Sequence, residues 1–167
     1  NTNNEGIWYK RHPEHRPDRR GKIRKNHPCW RHAIRRGIIN RRGTIEDKNT
    51  VSDYREIELE RQNSVYASIL HTIYNNRKIN IIDTPGFDDF IGEVITALKV
   101  VDTAVMVLNC QNGVEAGTEF TWRHAASNET PVIFAANHLE HENSNFDETI
   151  NQLKQSFGGS VTVIQYP

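Results

Sequence analysis

The sequence predicts an α/β fold in which helices cover both faces of a mostly parallel sheet, and two observations lead to this prediction. From about residue 64 onward, short apolar runs that suit buried strands alternate with stretches whose apolar residues recur at helical spacing. Each repeat is long enough for a strand, a crossover helix and a second, parallel strand. Ligands of such sheets bind beyond the carboxyl ends of the strands, so the residues that follow each strand are the candidates for function.

The hydrophobic pattern predicts the individual elements in order. Residues 64–74 suit either a strand or a short helix, but the N-N-R-K turn after them favours a hairpin with the next strand. Apolar runs then predict four strands at residues 78–83, 101–108, 131–136 and 161–166. Apolar residues at helical spacing predict three helices at residues 87–101, 117–127 and 146–157.

Length and composition limit the class of protein. A chain of 167 residues can form one domain with a hydrophobic core. It contains no apolar run of about 18 residues and no signal-peptide pattern, so no membrane association is expected. Cys29 and Cys110 lie far apart in the sequence and imply no disulfide framework, which favours the reducing environment of the cytoplasm.

The formal net charge of zero hides a division of charge along the chain. Residues 1–36 contain 11 Lys and Arg against 3 Asp and Glu, a net charge of +8. The remaining residues contain 10 Lys and Arg against 18 Asp and Glu, a net charge of −8. Such asymmetry is typical of an acidic domain with a basic arm that binds nucleic acid.

The stretch I-N-I-I-D-T-P-G, at residues 79–86, is the most informative part of the chain. Its apolar, β-branched residues predict a buried strand that ends in an acid, a hydroxyl, a proline and a glycine. A glycine at such a strand end lets the backbone N–H approach a ligand closely. The simpler interpretation is a strand followed by an ordinary Pro-Gly turn.

Further motifs occur in the order and at the distances expected of one family. Residues 43–65 end E-R-Q-N-S-V, where a first switch region ends E-R-G-I-T-I. Residues 111–114 and 122–125 match the loop and helix after a motif-bearing strand, and Ala136-Asn137 matches the start of an N-K-x-D motif. Together with D-T-P-G, these motifs make residues 37–167 resemble the G domain of translational GTPases, most closely bacterial elongation factor G. The resemblance implies a P-loop nucleotide hydrolase fold.

This resemblance implies GTP and Mg²⁺ as ligands and suggests a role for each matching residue. Asp83 would hold a water of the Mg²⁺ shell. Ser64 stands where the family has a threonine, and its hydroxyl would bind Mg²⁺. Thr84, Pro85 and Gly86 complete the motif on the phosphate side, where the Gly86 N–H would meet the γ-phosphate.

The base-reading motif departs from the family, because residues 137–140 read N-H-L-E in place of N-K-x-D. The resemblance implies that Asn137 contacts the guanine and braces the phosphate loop. Glu140 would accept hydrogen bonds from guanine N1 and N2, with a longer reach than aspartate. Two other interpretations of residues 138–142 stay open, a solvated surface loop and a metal site that includes His138 and His141.

The position after D-T-P-G is a second departure. The family has a histidine there, which positions the attacking water once the ribosome is engaged, whereas this chain has Phe87. Phenylalanine has neither a donor nor an acceptor and cannot orient water. The sequence therefore predicts very slow or absent hydrolysis. Phe87 also suits the first core position of the predicted helix, and the two roles are compatible.

The third departure is the lack of a phosphate-binding loop. The family has a strand, then G-x-x-x-x-G-K-[ST], then a helix, ahead of the first switch region. Residues 1–36 contain no such motif and no strand-like run. Reread one base later with permitted codons, residues 18–36 give I-G-E-A-K-S-G-K-T-T-L-A-G-D-M-L-Y-E-G, and residues 14–17 give N-I-A-L. We therefore predict that residues 1–36 are an out-of-frame translation.

Two alternatives for residues 1–36 stay open. As a genuine basic arm, the segment would bind RNA through its Lys and Arg residues and through base stacking on Trp8, Tyr9 and Trp30. The second alternative is a zinc site, although the spacing matches no standard finger; its ligands would come from His12, His15, His27, Cys29 and His32. In every case the polarity of the segment predicts disorder and a sheet without its central strand.

The sequence thus predicts a basic segment at residues 1–36 and a partial translational-type G domain at residues 37–167, truncated at both ends. The expected function is GTP binding by a monomeric, elongation-factor-G-like protein that acts with the ribosome in translocation. One alternative is a pseudo-GTPase switch, which binds nucleotide and changes shape but hardly hydrolyses it. The other alternative is an RNA-binding module that acts through residues 1–36.

Overall fold

The structure is a computed structural model that describes residues 4–10, 55–61, 64–86 and 90–167. Within these ranges the chain forms five strands and four helices. The strands are β1 (Asn4–Lys10), β2 (Ser68–Tyr74), β3 (Arg77–Thr84), β4 (Thr103–Asn109) and β5 (Val132–Asn137). The helices are α1 (Glu56–Arg61), α2 (Ile91–Leu98), α3 (Ala116–Ser127) and α4 (Phe146–Phe157).

The five strands form one sheet in the order β2-β3-β1-β4-β5. β1 is parallel to both β3 and β4, and β4 is parallel to β5. Only β2, at one end of this order, runs antiparallel to its neighbour. The predicted α/β fold with a mostly parallel sheet is confirmed, and the carboxyl ends of β1, β3, β4 and β5 share one edge, which we call the C-terminal edge.

The predicted hairpin is confirmed, with residues 68–74 as β2 and β3 as its partner. Tyr74 pairs with Arg77, so the turn contains only Asn75 and Asn76. Both asparagines have positive φ, 47° and 61°. A two-residue turn with two left-handed positions matches the right-handed twist of the strands, and asparagine tolerates it better than most residues.

Most predicted elements of the second half are confirmed with small shifts at their ends. α4 has the predicted bounds, because Asn145 accepts a hydrogen bond from the Glu148 N–H at 3.0 Å and Gly158 ends the helix with φ of 93°. The helix predicted from residue 87 begins at Ile91 in the structure, and residues 87–89 lie outside the described residues.

The strand predicted at residues 161–166 is wrong, because this part of the chain, which the structure describes, is irregular. Alternating apolar residues form a strand only where a neighbouring strand offers a hydrogen-bonding edge. Here the chain turns toward the start of α4, where the ring of Tyr166 meets that of Phe146 edge-on at 5.9 Å between centroids. Ile164 is left 85% exposed.

The prediction that residues 1–36 contain no strand is wrong for residues 4–10. β1 lies between β3 and β4, paired over seven residues with β3 and over four with β4. Its I-W-Y run favours an extended chain, and a central position satisfies backbone groups on both sides. Residues 11–36 lie outside the described residues, so their predicted disorder and the out-of-frame hypothesis stay predictions.

The main core lies between the sheet and the helices α2 and α3. Two strand residues, Ala104 and Met106 of β4, are buried there. α2 contributes Val94, Ala97 and Leu98, and α3 contributes Ala125. The helix residues recur at intervals of three and four, which sets one side of α2 against the sheet. The opposite face of the sheet has a smaller buried cluster around Ile81 and Val107.

Three aromatic rings join α4 to the rest of this core. Trp122 of α3, Phe134 of β5 and Phe157 of α4 have ring centroids 4.8 to 5.7 Å apart. Aromatic pairs at these separations stabilise by roughly 0.5–1.5 kcal/mol beyond their buried area. The last turn of α4 is thereby held against β5. None of the helices that the structure describes is sufficiently long and apolar to span a membrane.

Cys110 follows β4 directly, and its burial makes its thiol a test of this packing. Burial raises the pKa of the Cys110 thiol, and hydrogen bonds with the Thr149 side chain and the Asn137 backbone offset part of the rise. We predict that iodoacetamide alkylates Cys110 in the native Cys29→Ser variant at least about a hundredfold more slowly than in urea, because reaction requires local opening and a thiolate.

Mass spectrometry of quenched samples measures both rates. The Cys110→Ser variant, which retains Cys29, controls for reagent activity. Equal alkylation rates of Cys110 in native buffer and in urea would contradict the packing of residue 110 between β4 and α4.

Candidate nucleotide-binding site

The first two residues of the D-T-P-G sequence end β3, and all four residues are buried. Asp83 is 3% exposed, and Thr84, Pro85 and Gly86 are buried. A simple Pro-Gly turn on the surface would leave these residues in water. Burial of a carboxylate at the C-terminal edge is expensive without compensating polar or ionic contacts. This makes Asp83 a candidate functional group on grounds of burial as well as sequence.

Ser64 lies in the segment that leads into β2, the strand that pairs with β3. Ser68, the first residue of β2, pairs with Asp83, and Ser64 precedes it by four residues. The antiparallel direction of β2 therefore brings its start alongside the end of β3. Ser64 is itself buried. A carboxylate and a hydroxyl are hard oxygen donors of the kind that Mg²⁺ prefers, so the donor set at this edge fits a magnesium ion.

A buried carboxylate on α1 holds the residues that follow Ser64. Glu58 is 2% exposed, and its Oε1 accepts hydrogen bonds from the N–H groups of Val65 at 3.0 Å and Tyr66 at 3.1 Å. Its Oε2 lies 3.4 Å from the N–H of Arg55, whose guanidinium stacks over the Tyr66 ring at 4.0 Å. The short helix α1 is thereby attached to the start of β2.

A second carboxylate approaches the same segment from α2. Glu93 lies in the first turn of α2, and its Oε2 accepts a hydrogen bond from the N–H of Ala67 at 2.7 Å. α2 is the helix that follows D-T-P-G in the chain. Residues 65–67 are therefore held by two carboxylates from two different helices, and we call this arrangement of Glu58 and Glu93 the carboxylate clamp.

The carboxylate clamp could not be predicted from the sequence. Charged residues on short helices are ordinarily solvated, so their spacing carries no indication of a buried role. The one available sign is that Glu58 lies in the E-L-E-R run that resembles a first switch region. Glu58 and Glu93 bind backbone N–H groups, which every residue except proline has, so these contacts leave no pattern in the sequence.

Asn137 ends β5 at the C-terminal edge. It pairs with Asn109, the last residue of β4, and its carbonyl accepts a hydrogen bond from the Cys110 N–H at 3.1 Å. His138 follows with φ of 60°, a left-handed conformation that is uncommon for a residue other than glycine. The side chain of His138 is 22% exposed and that of Glu140 is 54% exposed, so the predicted surface loop describes Glu140 better than His138.

The two halves of the candidate site lie at separate places along the C-terminal edge. β3 and β5 are separated by β1 and β4, or three strand spacings of about 4.8 Å, roughly 14 Å in total. Registered pairs connect Asp83 through Tyr9 and Val105 to Ile133. Asn137 lies four residues beyond Ile133, so the edge is stepped. The structure places Asp83 at one end, paired with Ser68, four residues after Ser64, and Asn137 and Glu140 at the other end.

The loop between β4 and α3 connects to α4 through Gln152. The Oε1 atom of Gln152 accepts a hydrogen bond from the Val114 N–H at 3.0 Å. Gly113 has φ of 71°, and a Cβ at this position would overlap that same Oε1 atom. The glycine of the Q-N-G-V motif is thus required by both backbone conformation and space.

Several predicted features lie outside the described residues. They are Phe87, the first part of the switch-like segment at residues 43–54, and residues 11–36, including the candidate zinc ligands and Trp30. Trp8 and Tyr9 lie in β1, at the centre of the sheet.

Comparisons with known proteins agree with this fold. The family described as Elongation factor Tu GTP binding domain matches residues 33–165. Ribosome-releasing factor 2, mitochondrial, of Candida dubliniensis is 37% identical over 131 residues, which cover 78% of this chain and 16% of that protein. Elongation factor G of Mycoplasma genitalium is 35% identical over 131 residues, which cover 78% of this chain and 19% of that protein.

A crystal structure of a protein from Thermus thermophilus, ttk003000868, shares the fold, with a TM-score of 0.78 at 21% identity. The alignment covers 92% of this chain and 22% of that one. The chain belongs to the family of elongation factor Tu GTP binding domains, and the predicted resemblance to a translational GTPase G domain is confirmed. The matched part of this chain spans less than a fifth of the length of ribosome-releasing factor 2 or of elongation factor G.

We predict that Gly113→Ala lowers the free energy of unfolding by about 1–3 kcal/mol. The alanine introduces left-handed backbone strain and displaces Gln152 from its hydrogen bond with Val114. Urea denaturation measures the change. Gly92→Ala is the matched control, because Gly92 lies in α2 with open space around it, and alanine there is expected to leave stability equal or higher. Equal stability of Gly113→Ala and the wild type would contradict this prediction.

We predict that Glu58→Ala lowers the free energy of unfolding by about 1–3 kcal/mol, because two backbone N–H groups lose a buried acceptor. Hydrogen exchange of the Val65 and Tyr66 amides is expected to accelerate at the same time. Glu60→Ala, an exposed position on the same helix, is the control. If Glu58→Ala changed stability and amide exchange no more than Glu60→Ala does, the carboxylate clamp would not hold residues 65 and 66.

Proposed function

We propose that this chain is the GTP-binding domain of a translation factor that acts on the ribosome in the manner of elongation factor G. The observation that carries the proposal is the buried D-T-P-G end of β3, at the same edge as Ser64 and Asn137. Family membership and relatives named elongation factor G and ribosome-releasing factor 2 support it. A parallel sheet also binds ligands at this edge in other α/β proteins.

On the phosphate side, the proposed roles belong to Ser64, Asp83 and the three residues after Asp83. The Asp83 carboxylate orients a water of the magnesium shell, and the Ser64 hydroxyl is a direct ligand. The Gly86 N–H donates to the γ-phosphate, and Thr84 and Pro85 shape the chain that presents it. Mg²⁺ neutralises charge on the phosphate oxygens when it is bound.

The carboxylate clamp gives this end of the site a connection to α2. Glu58 and Glu93 hold residues 65–67, which directly follow Ser64. Movement of Ser64 on binding or release of magnesium would therefore displace residues 65–67 and, through their hydrogen bonds, both α1 and α2. In GTPases, ordering of the segments around the γ-phosphate is the usual form of the switch.

On the base side, Asn137 contacts the guanine and Glu140 accepts hydrogen bonds from its N1 and N2. Asn137 lies three strand spacings across the sheet from Asp83 and four residues further along the strand direction, so the ligand must be an extended molecule such as a nucleotide. His138 replaces a lysine whose aliphatic stem would cover the base. We therefore propose a preference for guanine that is weaker than in proteins with N-K-x-D.

A second candidate function, a pseudo-GTPase switch, is favoured by Phe87. A phenylalanine in the position of the family's histidine cannot orient the attacking water, so nucleotide binding would change the conformation with little turnover. The two candidates share one fold and one set of ligands. They differ in the rate of hydrolysis alone.

The partners and location follow from the same proposal. The ribosome is the partner, the protein acts as a monomer in the cytoplasm, and no membrane is involved. The relatives named ribosome-releasing factor 2 are mitochondrial, so a mitochondrial ribosome is the alternative partner. Translocation is the proposed process, by likeness to elongation factor G.

For residues 1–36 we propose an out-of-frame translation, with RNA binding as the alternative. The family match begins at residue 33, close to the residue where the reread sequence ends, which supports the proposal. β1 supplies a central strand from residues 4–10, whereas the reread sequence supplies one at residues 14–17. The two readings therefore offer different chains for the same place in the sheet.

We predict that replacing residues 14–36 by the reread sequence raises the affinity for GTP with Mg²⁺ by about a hundredfold or more, because a phosphate loop adds several hydrogen bonds to charged oxygens. Fluorescence titration with a labelled GTP measures the change. In the replaced chain, Asn137→Ala is expected to weaken binding by about tenfold or more. Asn151→Ala, at an exposed position of α4, is the matched control.

Three outcomes would each contradict one part of these proposals. Equal affinities for GTP and ATP, unchanged by Asn137→Ala, would remove the guanine-reading role. Unchanged GTP affinity after replacement of residues 14–36 would reject the out-of-frame hypothesis. Salt-dependent RNA binding by the chain as written, lost on deleting residues 11–36, would favour the RNA-binding alternative.

We predict that a full-length protein containing this domain releases phosphate slowly when ribosomes are added, and that Phe87→His raises the rate by about 10²–10⁴-fold. A histidine can position water, whereas phenylalanine cannot. Phe120→His is the matched control, because Phe120 is an exposed residue of α3. A natural protein that already hydrolyses GTP as fast as its Phe87→His variant would eliminate the pseudo-GTPase candidate.

A further inference from the structure

The loop that follows β5 brings three metal-ligating side chains together. They are His138, Glu140 and His141, and their candidate ligand atoms all lie within 4.8 Å of one another. The Nδ1 atom of His138 is 3.9 Å from the Oε1 atom of Glu140, and the two imidazole rings have centroids 5.5 Å apart. We propose that this loop, residues 138–141, binds a divalent transition metal ion, with zinc as the best match.

The donor set selects the class of metal. Two imidazoles and one carboxylate suit zinc, which takes nitrogen ligands at about 2.0–2.1 Å and carboxylate oxygen at about 2.0–2.2 Å. Mg²⁺ and Ca²⁺ prefer oxygen donors alone, so this loop differs in its preference from the Asp83 and Ser64 end of the sheet. Three protein ligands leave at least one position for water.

The geometry requires only small side-chain movements. Two ligands of one tetrahedral zinc ion lie about 3.4 Å apart, because each is about 2.0–2.1 Å from the metal. The His138–Glu140 separation of 3.9 Å exceeds this value by roughly 0.5 Å, and the widest separation of 4.8 Å exceeds it by roughly 1.4 Å. Glu140 and His141 are exposed, so rotation about their χ angles can close the gap without disturbing the core.

Hydrogen bonds fix the backbone of the loop that carries the three side chains. The loop begins at Asn137, which is fixed by pairing with β4, and turns at His138 with φ of 60°. Ser144 closes it, because its single hydroxyl proton is shared between the His141 carbonyl, at 2.5 Å from Oγ, and the Leu139 carbonyl, at 3.0 Å. A loop whose backbone is ordered in advance binds an ion with less loss of conformational entropy.

Metal binding at this loop would oppose nucleotide binding, and this consequence rests on the proposed function. Glu140 is the proposed acceptor for guanine N1 and N2, and a carboxylate bound to zinc has fewer oxygen lone pairs for the base. A zinc ion beside Asn137 would also occupy the space above the end of β5. The loop would thus hold either a metal ion or the base.

The test is a titration of the full chain with Zn²⁺ by isothermal calorimetry, together with Co²⁺ absorption as a report of tetrahedral coordination. We expect saturable binding at the loop that a large excess of Mg²⁺ does not displace. His141→Ala, Glu140→Gln and His138→Asn are each expected to weaken it by tenfold or more. Asparagine is chosen at residue 138 because it tolerates the left-handed conformation.

Two controls separate this site from other histidines. His124→Ala changes a histidine of α3 outside the loop and is expected to leave zinc affinity unchanged. A chain with His12→Ala, His15→Ala, His27→Ala, Cys29→Ser and His32→Ala removes all five candidate ligands of the first 36 residues and is expected to retain the loop site. No saturable binding, or binding lost in this second control and kept in the loop variants, would overturn the proposal.

The competition is measured by adding Zn²⁺ to the chain with bound labelled GTP, and His141→Ala corrects for zinc chelated by the phosphates. A higher apparent dissociation constant for GTP in the wild type than in His141→Ala is the expected result. Zinc bound at the loop with unchanged GTP affinity would reject the guanine-reading role and leave the metal site standing. GTP binding that is sensitive to Asn137→Ala, without any zinc binding, would reject the metal site alone.

Discussion

Backbone pairing on both sides of β3 determines where the candidate residues lie. Its parallel pairing with β1 directs its carboxyl end to the same edge as those of β4 and β5, and its antiparallel pairing with β2 brings Ser64 back to that end. Because side chains alternate between faces along a strand, a shift of one residue in either register would exchange the buried and exposed sets. The burial of Ile81 and Asp83 therefore depends on the hydrogen bonds between neighbouring strands, including those that hold β1 in the centre of the sheet.

The carboxylate clamp both stabilises the fold and positions residues 65–67. A hydrogen bond to a charged group contributes a net of about 1.5–3 kcal/mol, and loss of the Glu58 carboxylate would remove a buried acceptor from the Val65 and Tyr66 N–H groups. The same hydrogen bonds give residues 65–67 a defined geometry. That geometry connects α1, the start of β2 and α2, the elements on either side of Ser64 and D-T-P-G.

The two ends of the C-terminal edge differ in their chemistry. At the β3 end, the oxygen donors of Asp83 and Ser64 are buried, and Glu93 of α2 binds the nearby Ala67 N–H. Buried oxygen donors suit a hard cation and its phosphates. At the β5 end, imidazoles and a carboxylate lie on a partly exposed loop, which suits a softer cation or the polar edge of a base. α4 supports this second end, through the Trp122, Phe134 and Phe157 rings and through Gln152.

Local interactions made the hairpin and α4 predictable from sequence, since Asn75 and Asn76 suit a left-handed turn, and Asn145 and Gly158 cap a helix with regular apolar spacing. The residue types of D-T-P-G likewise marked the candidate site. Tertiary structure alone decided that residues 4–10 form the central strand, that residues 161–166 form none, and that Glu58, Glu93 and the 138–141 loop have their partners. Those outcomes depend on which backbone edge or N–H group is nearby, and contacts between distant residues leave no periodic pattern in the chain.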